Sequence, residues 1–88
     1  MTSRSEIRSI IVKLIAIELD VDETAVATAR SLRQDLAMDS VAAANLFFAL
    51  EEECCVELNL ERVESVDTVV EIEQLVADAM ALARVSKI

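Results

Sequence analysis

From Ile7 onward the apolar residues recur at steps of three and four: Ile7, Ile10, Ile11, Leu14 and Ile15, with Val12 and Ile17 beside them. Ser9, Lys13 and Glu18 keep to the other side. This spacing predicts an amphipathic helix over residues 4–19. Ser3 and Glu6 have the spacing of a capping box, which satisfies the first free amides of a helix.

The next stretch, "DVDETAVATARSLRQDLAMD" at 20–39, loses that rhythm. Val21, Val26, Leu32 and Leu36 are too irregularly placed for one amphipathic helix. They suit a long connection pinned to the core by scattered anchors, with a short turn around Glu23 to Ala27. Long structured connections in small domains are usually functional.

Periodicity returns at Ser40 and lasts to Cys54 or Cys55. Ala43, Leu46, Phe47, Leu50 and Cys54 make one apolar face of this second helix. Val41, Ala44 and Phe48 make another by the same steps. One face is enough for a small core, so the second is a candidate contact surface. Residues 56–67 read as a loop with one short helix near Leu60 to Glu64. Asp67 or Thr68 can cap a last helix. Its apolar face is Val69, Ile72, Val76, Ala79, Met80 and Ala83, with Leu75 and Leu82 beside it. Glu71, Glu73 and Asp78 are expected off that face. The predicted fold is all-α: three main helices and a short one, an up-down bundle with a long first loop.

Composition narrows the picture. The 88 residues make a single domain, 1–88, and such a short chain needs efficient packing. Seventeen acids against eight bases give a net charge of −9. That disfavours nucleic acid and anionic membrane surfaces. It suits basic protein partners, and self-repulsion that keeps the chain a soluble monomer. The apolar run near the N-terminus is interrupted by Glu6, Arg8, Lys13 and Glu18, so it reads neither as a signal peptide nor as a membrane span. A cytoplasmic location follows as the expectation. Adjacent Cys54 and Cys55 read as reduced thiols, since the ring they would close is strained.

The chain has no histidine or glycine. A Ser-His-Asp or Cys-His centre, or a glycine-rich phosphate loop, is therefore excluded, and nothing completes a metal site. No enzyme activity is expected and no catalytic residue is assigned. Ser40 stands out, where the irregular connection meets the second helix. One reading makes it the N-cap, with Asp39 as its rival. The other makes it an exposed hydroxyl on a rigid element, well placed to carry a phosphoryl-linked group at a helix start.

The stretch "DLAMDSVAAANLFFALEEECCVEL" resembles the central region of acyl carrier proteins, whose pattern is Asp-Leu-Gly-x-Asp-Ser-Leu followed by an apolar helix ending in glutamates. "IIVKLIAIELDVDETAV" and "VDTVVEIEQLV" resemble that family's first and last helices. The resemblance implies that Ser40 carries 4′-phosphopantetheine, derived from coenzyme A, with Asp39 as the adjacent motif acid. It implies that acyl groups ride on this arm as thioesters during fatty-acid, lipid or polyketide synthesis. Val41, Ala44 and Phe48 match the apolar recognition positions, and Glu51, Glu52, Glu53 and Glu57 the acidic ones. The implied partners are a phosphopantetheinyl transferase and acyl-transferring or ligating enzymes with basic patches. Ala37 stands where the family usually has glycine, Val41 where it has leucine, Cys54 where phenylalanine is common and Asn59 where proline is common. Ala42 and Asn45 occupy positions that are usually acidic, which fits a specialised pathway. An aminoacyl or peptidyl carrier, or an unmodified acidic helical module that docks a basic partner, shares many of these features.

Overall fold

The computed structural model describes residues 3–85, with side chains as far as Leu82. Five α-helices and one 3-10 helix occur among the described residues. They are α1 (Arg4–Leu19), α2 (Glu23–Thr28), α3 (Leu32–Asp35), α4 (Ser40–Cys54), the 3-10 helix (Leu60–Ser65) and α5 (Val69–Val85). The fold is the expected helical bundle. Two of the short helices, α2 and α3, lie inside the long first connection, where only the first was foreseen as a turn.

Helix α1 starts as its sequence predicts, with the Ser3 hydroxyl accepting the Glu6 N–H at 3.2 Å. It buries Ile7, Ile11, Val12, Ile15 and Ala16. Ile17, placed beside the apolar face from its spacing, is exposed instead. At the end of α1, Asp20 turns left-handed (φ 55°) and the Val21 N–H reaches back to the Ala16 carbonyl at 3.0 Å. That closure normally uses glycine, and Asp is among the few residues that tolerate it. Helix α4 ends in the same way, with Cys55 left-handed and the Val56 N–H on the Glu51 carbonyl at 3.2 Å.

Helix α1 packs against α5, α4 and α2, and the 3-10 helix packs against α4. On α5, Ile72 and Val76 are fully buried and Val69, Leu75, Ala79 and Met80 partly so, whereas Leu82 is exposed. Ala83, expected on the apolar face, lies outside the residues whose side chains are described. Thr68 rather than Asp67 caps α5. Its hydroxyl accepts the Glu71 N–H at 3.1 Å, while the Glu71 carboxylate takes the Thr68 and Asp67 N–H groups. This is a complete capping box.

Glu73 departs from expectation. It is buried, only 3% exposed, in the seam between α1 and α5. Arg4 and Arg8 project from one side of α1, one turn apart. Arg4 Nη2 lies 2.7 Å from Glu73 Oε2, and Arg8 Nε lies 2.7 Å from Oε1. The hydrogen bond from Arg8, joined by that from Arg4, holds the Glu73 carboxyl below its ordinary value against the opposing effect of burial. Hydropathy placed this residue on the outer surface because it does not reveal a partner from another helix.

Candidate functional site: the start and outer face of α4

Asp39, not Ser40, caps α4. Its backbone is extended (φ −100°, ψ 179°), and its Oδ1 accepts the Ala42 N–H at 2.8 Å. Ser40 is the first helical residue and is exposed. Its hydroxyl makes no hydrogen bond to any of the described residues. The acid and the hydroxyl therefore divide two roles that the sequence left as rivals. Asp39 holds the helix start, and the Ser40 hydroxyl is left exposed and uncommitted.

The segment leading into Ser40 is fixed from below. Leu32 and Met38 are buried, and the Met38 N–H donates to the Leu32 carbonyl at 3.1 Å. Between them Ala37 takes a left-handed φ of 56°. This accounts for the glycine usual at that place in the resemblance, because a Cβ is unfavourable there.

Asp67 bolts the connection to the start of α5. Its carbonyl accepts the Leu32 N–H at 2.7 Å, and its carboxylate accepts the Arg33 N–H at 2.9 Å and the Ser31 hydroxyl. Arg33 also donates to the Val63 carbonyl at 2.8 Å. The Ser31 hydroxyl foremost, then the Arg33 amide, hold the Asp67 carboxyl below its usual range. These contacts join residues 30 or more apart in sequence, so no local motif announced them.

Beside Ser40 lies an open groove of about 390 Å³, lined by Ser40, Ala44, Leu60, Glu61, Val63 and Glu64. It runs between α4 and the 3-10 helix. The two apolar faces of α4 fall as their spacing predicts. Ala43, Leu46, Phe47 and Leu50 are buried, whereas Val41 is 69% and Phe48 53% exposed, with Ala44 half-buried between them.

The acids of this region have different roles. Glu51 is half-buried, and its Oε2 accepts the Leu58 N–H at 2.9 Å, which secures the chain after α4. Glu52, Glu53 and Glu57 are exposed. Helical geometry sets Glu52 on the Phe48 side and Glu53 roughly 140° around from Phe48. Sequence spacing gave no hint of Glu18, which reaches α4 from another helix: Asn45 Nδ2 donates to its Oε2 at 3.3 Å.

Cys54 is half-buried and Cys55 exposed, both as free thiols. Burial pushes the Cys54 thiol up, aided by the charge of Glu53 and by Cys55, so its reactive thiolate is suppressed. No group of side chains able to hold a metal ion occurs among the described residues. Nor, among them, is any helix long and apolar enough to cross a membrane.

Residues 9–76 match the family model described as a phosphopantetheine attachment site. An acyl carrier protein of Treponema denticola is 39% identical over 57 residues, which cover 65% of this chain and 73% of that protein. The chain belongs to the acyl carrier protein family. It is a carrier rather than a catalyst, and its cofactor is covalently held 4′-phosphopantetheine.

Proposed function

We propose that Ser40 is the attachment residue and that the chain presents acyl groups to partner enzymes of fatty-acid, lipid or polyketide synthesis. One observation carries this reading: within the matched segment, Ser40 offers an exposed, uncommitted hydroxyl at the start of a helix whose cap is supplied by Asp39. An exposed hydroxyl is what a transferase needs to bring its phosphoryl donor in line. The first turn of α4 favours the negative charge of the resulting phosphodiester. The groove alongside supplies room for an elongated group. When bound, the cofactor supplies a terminal thiol that links acyl groups as thioesters. This chain's own residues hold the attachment point still and keep the neighbouring surface open.

Val41, Ala44 and Phe48 form the apolar centre of the docking face for such partners, with Phe48 as its largest anchor. Glu52 flanks it, and Glu53 and Glu57 add to the acidic field around it. Glu51 contributes charge while also securing Leu58. Partners with basic patches fit this face, and attraction of that kind weakens as salt rises. The uncharged first half of the α4 surface suits a specialised pathway, and a cytoplasmic monomer fits the charge and the free thiols.

The test is intact mass after incubation with coenzyme A, magnesium and a promiscuous phosphopantetheinyl transferase. One phosphopantetheine should be added to the wild type and none to Ser40→Ala. The variant should keep its stability within about 0.5 kcal/mol, since Ser40 is not the cap. A folded wild type that stays unmodified would leave the acidic interaction module as the better reading.

A further inference from the structure

The outer face of α4 is electrically lopsided. After the cap Asp39, whose Oδ1 is taken by the Ala42 N–H, its acids resume only at Glu51, whereas Val41, Ala42, Ala44 and Asn45 carry no charge, and α4 has no basic residue. A partner reading acids on α4 alone would grip only its C-terminal end. Yet the attachment serine of the reading above stands at the other end.

Helix α1 supplies a carboxylate there. Glu18 is exposed, and Asn45 Nδ2 holds its Oε2 at 3.3 Å. Asn45 lies one turn before Phe48, so the two share a surface stripe. No basic side chain among the described residues pairs with Glu18. A neutral amide orients the carboxylate without cancelling its charge, and its second oxygen remains open to a partner. We propose that Glu18 is a docking carboxylate, which gives the Phe48 face an acidic contact beside Asn45, in the stretch between the cap Asp39 and Glu51 where α4 has none. The proposal rests on the carrier reading above and specifies the partner that fits it.

The occupant is a protein surface with two separated cationic groups and a hollow between them. One group meets Glu18 beside Asn45 and the other meets Glu52, while the hollow receives Phe48. Asn45 and Glu52 are seven residues apart, roughly 10 Å along the helix axis. Nucleic acid and anionic lipid would be repelled, and so would a second copy of a chain whose net charge is −9.

The experiment measures kcat/KM for phosphopantetheine transfer to the full chain from coenzyme A, by a transferase with a basic carrier-binding surface, across a salt series. The variants are Glu18→Lys, Glu18→Gln and Glu6→Lys. Glu6 is an exposed acid on the same helix, roughly 18 Å from Glu18 along the axis, and controls for net charge. Thermal melts confirm that each variant is folded. Glu18→Lys should lower kcat/KM about three- to ten-fold at low salt and flatten its salt dependence. Glu18→Gln should fall between it and the wild type, and Glu6→Lys should stay near the wild type. Equal losses in Glu6→Lys and Glu18→Lys, or no loss in Glu18→Lys, overturn the proposal while leaving Ser40 as the attachment site. A wild type that accepts no phosphopantetheine overturns the carrier reading itself, and this proposal with it.

Discussion

The seam between α1 and α5 and the outer face of α4 use similar residues in opposite ways. In the seam, Glu73 is enclosed by Arg4 and Arg8, next to Ile72 and Val76 of the core. On α4, Phe48 and Val41 are exposed, and Glu52 has no cation beside it among the described residues. Every salt bridge among those residues uses Arg4, Arg8 or Arg33, and none reaches α4. Three arginines therefore tie helices and connections together, while Glu52 and Glu53 face outward from α4. The seam satisfies its polar groups internally, whereas the face leaves both apolar area and charge for something else to satisfy.

The sharpest way to break this contrast lies within α4, at two adjacent phenylalanines. Phe47 is fully buried and Phe48 about half exposed. Phe47→Ala should cost about 3–5 kcal/mol, enough to unfold a domain this small or nearly so. Phe48→Ala should keep its melting temperature within a few degrees and lose partner affinity. Thermal melts followed by circular dichroism, alongside transfer kinetics, separate the two. If Phe48→Ala melts as badly as Phe47→Ala, the outer face is structural and the contrast between the regions collapses.

The next largest effect belongs to the seam. Glu73→Gln keeps the shape but removes the charge that both arginines bind, and should cost about 1–3 kcal/mol near neutral pH. The arginines are half exposed and can turn to water, which limits the loss. The pH dependence has a definite sign. The folded carboxyl titrates below the ordinary glutamate value of 4.5, so the unfolded chain binds the proton more readily. Glu73 therefore contributes its full stability above that value and loses it as pH falls through the folded pKa. Denaturant melts from pH 7 downward should show the difference between wild type and Glu73→Gln shrinking below about pH 4.5. A difference that stays constant into acid would mean that the ion pairs are not what holds the seam.

These two tests also mark how far the sequence is legible. The inward and outward faces of α4 follow from a repeat of three and four, because burial along one helix is a local pattern. The limits of α1 follow for the same reason. Glu73 and Asp67 do not, since each gains its role from residues on another segment: Arg4 and Arg8 for one, Ser31 and Arg33 for the other. Single-turn α3 was hidden because four residues are too few to show a period, and its position depends on Asp67. At the candidate site, the motif singled out Asp39 and Ser40, but which of them caps the helix depends on backbone angles. Glu18 was invisible as a neighbour of α4 because its partner Asn45 lies 27 residues away.

The smallest expected effect concerns the approach to Ser40, which resembles the seam in being fixed and the outer face in being close to solvent. Ala37 is exposed and sits at φ 56°, where its Cβ crowds the backbone. The left-handed conformation costs an alanine about 1–2 kcal/mol. Glycine removes that strain but gives the unfolded chain more freedom, an opposing effect of about 0.4–1 kcal/mol. Ala37→Gly should therefore stabilise the protein by about 0.5 kcal/mol, a rise of roughly 2–4 °C in melting temperature for a domain of this size. Transfer to Ser40 should proceed at the wild-type rate, because Asp39 still caps α4 and Met38 still anchors the segment. Two results are informative in the other direction. A lower melting temperature would show that the segment relies on the stiffness of Ala37 more than it suffers from its strain. A slower transfer in a protein of unchanged stability would show that this stiffness, rather than the Asp67 bolt beneath it, holds Ser40 in position.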